Sequence, residues 1–325
     1  MMYTFEQLSE KVNRIIGELD IPDSPPELYD PIRYILSIGG KRVRPVLALM
    51  AANLFKDNIE DALPPAVSIE LFHNFTLIHD DIMDHASLRR NHPTVHTKWN
   101  TNIGILSGDA LNIYAYGHLL KSRKDKLFRL LEIFNETALE VCEGQQLDMN
   151  YEHVREITME QYLEMIRLKT AVLLAGAMKI GALIADASEE QILHAYNCGM
   201  NLGMAFQIQD DYLDTYGDVN LFGKTIGGDI LSNKKTFLLV HAMEHLSPEA
   251  KQQLFKEMDV EKPNKEHKIK TIRQLFDVAG SPGEARRKME QYYKAGMREL
   301  KSIGVPPERR IIIEDLAEKL VSRKN

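Results

Sequence analysis

Cysteine is scarce in this chain: Cys142 and Cys198 are its only two, far apart and with no second Cys or His at metal-ligand spacing. Neither a disulfide framework nor a zinc site is suggested, and a reducing compartment fits. An apolar run long enough to span a bilayer is also missing. The longest, AVLLAGAMKIGALIA from Ala171 to Ala185, is interrupted by Lys179 and falls short of the ~20 residues needed, so it reads as a buried core helix. The opening MMYTFEQLSEKVNR has no apolar segment behind a basic one, which argues against a secretory signal, and the expected location is the cytoplasm. Positive charge is not in excess either. A formal net charge of -7 gives no general attraction to nucleic acid or to an anionic membrane, so neither is expected as a partner and a polyanionic ligand must be held by local basic clusters.

What is present is an ordinary globular composition, 44% hydrophobic and 27% charged, with ample apolar material for a sizeable core. Strand-like alternation is rare. Segments such as EEQILHAYNCGMNLGMAFQIQDDYLD and EARRKMEQYYKAGMRELKSI instead place apolar residues at three- and four-residue intervals over many turns. Breaks are expected at IPDSPPELYDP, Pro64-Pro65, GDVNLFGKTIGG, SPGE (281–284) and GVPPE. None resembles a linker between independent units. The expectation is one all-α domain over residues 1–325, with about ten or more helices.

Two aspartate motifs of the same form stand out, DDIMD at Asp80 to Asp84 and DDYLD at Asp210 to Asp214. Reading 65–83 as a helix, at ~100° per residue, places His73, Asp80 and Asp84 in one narrow sector, with Leu71, Phe75, Ile78 and Ile82 on a separate apolar stripe. The second motif repeats the layout: Gly203, Gln207, Asp210 and Asp214 share a side. Because most of both segments is apolar, the acidic stripes are expected to line an internal polar cavity. Carboxylates four residues apart on a helix repel, and more so when desolvated. A divalent cation resolves that cost, and Mg²⁺ commonly joins one or two carboxylates to substrate phosphate oxygens. Two such motifs are suited to gripping one diphosphate from opposite sides.

Basic groups complete the pattern: Lys41 and Arg44 in GGKRVRP, Arg89 and Arg90 in LRR, Lys169 beside Thr170, and Lys224 and Lys234 in FGKTIGGDILSNKKT. Cationic side chains supply charge-assisted hydrogen bonds to phosphate oxygens, and Arg adds a bidentate fork. The ordered set GGKRVRP, HNFTLIHDDIMDHASLRR, GQQLD, LKT, FQIQDDYLD and GKTIGGDI, over about residues 35–240, resembles the trans-isoprenyl diphosphate synthases.

That resemblance implies an all-α bundle around a central cavity (the isoprenoid synthase fold), usually a homodimer. It implies a magnesium-dependent prenyltransferase that condenses isopentenyl diphosphate head-to-tail with an allylic diphosphate (dimethylallyl, geranyl or farnesyl). Three Mg²⁺ ions are expected, two on the first motif and one on the second, with Asp80, Asp84 and Asp210 as main ligands and Asp81, Asp211 and Asp214 in support. Arg89, Lys169 and Lys224 are placed on the allylic diphosphate, with Lys234 a lesser candidate. Isopentenyl diphosphate is placed against Gly40, Lys41, Arg44, His73 and Arg90. Thr170 and Gln207 are placed to stabilise a carbocation with their oxygen dipoles.

Product length is expected to depend on what blocks the apolar path below the first motif. Phe75 lies ~7.5 Å and Phe72 ~12 Å down the helix from Asp80. Phe75, followed by the small Thr76, resembles the pattern of geranylgeranyl diphosphate synthases, so a C20 product is favoured and C15 comes next. Four competing readings are weaker. A class I terpene cyclase lacks support because DDYLDTYGD offers no Ser and Glu of the cyclase triad. The Gly223-Lys224-Thr225 run lacks the glycine and strand of a phosphate-binding loop, and the His92/His96 pair is set beside Pro93 and has no intervening Glu. A non-catalytic partner subunit is disfavoured by two complete aspartate motifs.

Overall fold

The computed structural model describes residues 2–217 and 227–321, so Lys224 lies outside the described residues. The described backbone is almost entirely helical, as expected; its one sheet is a two-stranded ribbon, β1 (Leu88–Arg89) and β2 (His92–Pro93). No helix among the described residues is long and apolar enough to cross a membrane. The chain divides into two compact units, Met1–Glu136 with Gly176–Tyr196 and Lys301–Ile313, and Thr137–Ala175 with Asn197–Leu300 and Glu314–Asn325.

The first unit opens with α1 (Phe5–Gly17), whose Thr4 and Gln7 form a reciprocal capping box that satisfies two otherwise orphaned donors. Next come α2 (Pro26–Ser37), α3 (Val43–Asn53) and α4 (Leu63–Met83), then the ribbon, α5 (Val95–Lys98) and α6 (Thr101–Leu119). The helix α4 packs along α6, α3 and α1, and its first three turns are buried nearly all round. That matches the apolar character of the segment and leaves only its last turns with accessible polar groups. Pro64-Pro65, expected to be a break, instead forms part of the first turn of α4. Proline is tolerated there because first-turn N–H groups have no intrahelical acceptor in any case.

Further along are α7 (Leu127–Glu152), α8 (Met159–Ile166), a π-helical turn (Arg167–Ala171), α9 (Val172–Ile184) and α10 (Glu189–Tyr216). The remaining helices are α11 (Gly228–Leu231), α12 (Phe237–His245), α13 (Pro248–Met258), α14 (Lys265–Val278), α15 (Ser281–Ser302) and α16 (Pro307–Val321). In the second unit a core of Tyr162, Ile166, Ile208, Tyr212, Phe237 and Phe276 ties α8, α10, α12 and α14 together. The SPGE stretch is not an interruption but the start of α15; the turn comes one residue earlier, at Gly280, with φ 72°.

Candidate active site

The first aspartate motif sits at the end of α4. The helix closes there by a double bond pattern in which Ala86 N–H donates to the Asp81 carbonyl (2.9 Å) and His85 N–H to that of Ile82 (3.3 Å), with His85 at φ 50°. Asp84 is therefore the cap residue and is exposed, Asp80 is half-buried, and Asp81 is 1% exposed. Arg89 returns to the motif from β1. Its Nε donates to both Asp81 oxygens at 2.8 Å, and its Nη2 reaches Asp80 at 3.2 Å. Burial raises the Asp81 pKa, with the Arg89 guanidinium pulling the other way. The ribbon explains why the two arginines diverge. Arg90 and Asn91 form its two-residue turn, both with positive φ (52° and 63°), so Arg89 stays in the strand and Arg90 stands at the tip.

His73 lies two turns before Asp80 on α4 and accepts a hydrogen bond at Nε2 from Arg44 (3.0 Å). Burial drives its pKa well below the ordinary histidine value, reinforced by Arg44, Arg90, Arg89 and Arg42, so the imidazole is neutral. Four guanidinium groups around an uncharged acceptor make this a strongly positive locality. Two of them are matched by carboxylates, Arg42 by Glu70 and Arg89 by Asp80 and Asp81. Phe75 is half-buried, its ring edge-on to His79 (4.7 Å between centroids) and tilted on Phe72 (5.5 Å). Phe72 is fully packed against Phe134, and the Thr76 hydroxyl donates to the His73 carbonyl.

In the second unit, the DDYLD motif lies within α10, and again the middle aspartate is the buried one. Asp211, 5% exposed, accepts hydrogen bonds from Tyr162 Oη (2.6 Å), Phe237 N–H (2.8 Å) and Gln207 Nε2 (2.9 Å). Burial, helped by Asp229, pushes its pKa up to about 7. Asp210 and Asp214 are half-buried, and Asp214 Oδ2 accepts from the Asp229 N–H at 3.0 Å. Thr170 donates to Gln207 Oε1 (2.8 Å), so Thr170, Gln207, Asp211 and Tyr162 form one continuous chain of hydrogen bonds. Lys169 pairs with Asp148, the last residue of GQQLD. The glycine of that motif is explained as well: a Cβ on Gly144 would lie 2.2 Å from the Lys169 backbone nitrogen, so only glycine lets α7 touch the π turn that presents Lys169 and Thr170. Lys234 is half-buried, its N–H donating to the Asp229 carbonyl.

Sequence reasoning missed Arg42 and Glu70, which pair with each other, and Asp148, Tyr162 and Asp229, which bond to Lys169, Asp211 and Asp214. Arg42, Asp148 and Asp229 carried a signal, since all three sit inside quoted motifs; Glu70 and Tyr162 did not, their partners Arg42 and Asp211 lying 28 and 49 residues away. Among the described residues no group of three or more His, Cys, Asp or Glu side chains is clustered closely enough to hold a metal ion alone.

Comparison with known proteins agrees with this arrangement. The family model for polyprenyl synthetase matches residues 25–276. A short chain isoprenyl diphosphate synthase of Methanocaldococcus jannaschii is 39% identical over 93% of this chain and 90% of the relative. A geranylfarnesyl diphosphate synthase of Natronomonas pharaonis is 35% identical over 97% of this chain and 95% of the relative. A crystal structure of a geranylgeranyl pyrophosphate synthase superimposes with a TM-score of 0.95 at 39% identity, covering 100% of both chains. With the family model spanning most of its length and these relatives matched nearly end to end, this chain belongs to the polyprenyl synthetase family and is a short-chain trans-prenyltransferase.

Proposed function

We propose that this chain joins isopentenyl diphosphate head-to-tail (1'-4) to an allylic diphosphate, releasing pyrophosphate and giving an all-trans product of C20, geranylgeranyl diphosphate. The observation that carries the reading is the convergence of His73, Arg44, Arg90 and Gly40: Arg44 donates to the neutral His73, and the Arg90 guanidinium lies against Gly40, an arrangement suited to a polyanion. Likeness to both a geranylgeranyl and a geranylfarnesyl synthase favours C20, with C25 the next length to look for.

The outer carboxylates Asp80, Asp84 and Asp210 suit Mg²⁺: they are hard oxygen donors, and each is more accessible than the middle aspartate of its own motif. The lack of a metal cluster made only of protein groups among the described residues accords with an ion that completes its shell from waters and substrate phosphate. When bound, Mg²⁺ stabilises negative charge on the departing pyrophosphate; three ions are the expected complement. Arg89, Lys169 and Lys224 bind the allylic diphosphate, with Asp81, Asp211 and Asp214 in support and Lys234 in a lesser role. Gly40, Lys41, Arg44, His73 and Arg90 hold isopentenyl diphosphate. The allylic C–O bond breaks with its electron pair leaving on pyrophosphate, the double bond of isopentenyl diphosphate attacks the cation, and pyrophosphate takes the final proton. Thr170, which donates its proton to Gln207, is left with oxygen lone pairs to turn toward the cation.

A homodimer is part of this reading. Leu106, Ile113 and Leu120 recur every seven residues along α6 and just beyond it, 60%, 71% and 58% exposed, a seam suited to a second copy of the same helix.

The test is incubation of the purified chain with isopentenyl diphosphate and a labelled allylic primer, with chromatography of the product. A C20 product that disappears on chelation of divalent cations is expected. Asp80→Ala should lower turnover by orders of magnitude. No product unless a second, different subunit is added would overturn the assignment. Sedimentation should give a dimer that Ile113→Lys dissociates; a monomeric wild type would rule out the seam.

A further inference from the structure

Three residues of the loop before α3 have positive φ: Gly39 (76°), Gly40 (156°) and Arg42 (51°). Glycine accepts such angles without penalty. Arginine does not, because its Cβ crowds the backbone in the left-handed region, and a residue held there needs its surroundings to fix it. Arg42 occupies the N-cap of α3 with no side-chain cap bond to compensate. What fixes it is its guanidinium, 4% exposed. Nη1 donates to Glu70 Oε1 (2.5 Å), Nε to Asn13 Oδ1 (2.9 Å) and Nη2 to the Leu36 carbonyl (3.1 Å). Glu70 is 2% exposed and also accepts from Asn74 Nδ2 (3.1 Å).

Every nitrogen of that guanidinium is turned toward a protein acceptor, so Arg42 acts through its backbone and not as a ligand group. Its neighbours are Lys41 on one side and, two residues on, Arg44. Glu70 stands on α4 three residues before His73, which accepts from Arg44. One buried ion pair thus ties the loop bearing Lys41 and the first turn of α3 bearing Arg44 to the turn of α4 bearing His73. The same loop places Gly40 where a Cβ would lie 2.8–2.9 Å from the guanidinium of Arg90, so a small displacement of the loop alters that contact too.

We infer that Arg42 and Glu70 are positioning residues that set the affinity for isopentenyl diphosphate without entering the ionisation step. This rests on the reading of Gly40, Lys41, Arg44, His73 and Arg90 as the isopentenyl diphosphate pocket.

The experiment compares wild type with Glu70→Gln, which keeps the shape of the side chain and removes its charge, and with the milder Asn13→Ala. For each, calorimetric binding of isopentenyl diphosphate to the purified chain is measured beside steady-state kinetics and thermal denaturation. A displacement of this kind should weaken isopentenyl diphosphate binding and raise its KM by roughly tenfold or more in Glu70→Gln, and by less in Asn13→Ala. Turnover and the KM for the allylic substrate should stay within about threefold of wild type. The double variant Arg42→Met, Glu70→Met should recover thermal stability, since apolar groups can replace a buried ion pair, and yet remain defective in binding. Unchanged affinity in Glu70→Gln, a common loss in turnover and both KM values, or wild-type affinity in the double variant would each overturn the inference. A wild type that binds isopentenyl diphosphate but makes no product would sink the proposed reaction and leave the binding comparison to decide this point. One that does not bind it at all would sink the positioning role.

Discussion

Asp81 and Asp211 hold the same place in their motifs and are solved by different means. Desolvating a carboxylate is costly unless it is paired or fully hydrogen-bonded. Asp81 is matched by the Arg89 guanidinium, whereas Asp211 is met by three uncharged donors and is left with a pKa pushed up to about 7. The spacing of the motifs made it legible that the outer aspartates share a helix side. It could not say what buries the inner ones, because Tyr162 and Phe237 are 49 and 26 residues from Asp211 in the chain. Phe72 and Phe75 show the same limit. In sequence they are two rings on one helix; in space Phe72 is fully packed on Phe134, while Phe75 is half-buried beside His79. Phe75→Ala should therefore lengthen the product with little change in stability. Phe72→Ala should cost about 3–5 kcal/mol through the cavity it leaves. Chromatography of products and thermal denaturation separate the two outcomes, and an unchanged product from Phe75→Ala would remove it as the stopper.

The helices themselves were readable from three- and four-residue periodicity because each buries a stripe of apolar residues. The π turn at Arg167–Ala171 was not, since the sequence RLKTA has nothing that distinguishes it from an α-helix. An extra residue in that turn changes the direction in which Lys169 and Thr170 point, and such bulges recur at functional sites. It is stabilised from outside by the close approach of α7 at Gly144. Proline and glycine were misread for a related reason: Pro64-Pro65 and SPGE look like breaks, but both begin helices, where their missing donor or freedom does no harm. Gly144→Ala tests the element-level account. With its Cβ 2.2 Å from the Lys169 nitrogen and backbone on the far side, the contact cannot be relieved by a side-chain rotation. The variant should lose at least about 1–3 kcal/mol of stability and show a raised KM for the allylic substrate as Lys169 is displaced. Wild-type stability would mean that α7 and the π turn have slack between them.

Across the whole chain, several titratable groups pull stability with pH in opposite directions. His118 on α6 is buried and accepts from Lys121 Nζ at Nε2 (3.3 Å), and burial lowers its pKa to about 4. His73 is lowered well below the ordinary histidine value and His241 is lowered as well, both chiefly by burial. In the unfolded chain a histidine titrates near 6.5, so between about pH 6.5 and 4 the unfolded form takes up protons that the folded form refuses. The histidine contribution is thus fully present above about pH 6.5 and is lost as the pH falls toward 4. Asp211, with its pKa pushed up to about 7, works the other way, because its protonation in the folded state favours folding as the pH drops from 7 toward 4. A single melting curve mixes these terms, but a variant isolates one of them. His118→Gln keeps a polar group beside Lys121 and removes the titration. Its melting temperature should therefore fall less than that of wild type between pH 7.5 and pH 5, with the two curves closest at the acid end. Parallel curves over that range would show that His118 is protonated as readily in the folded chain as in the unfolded one.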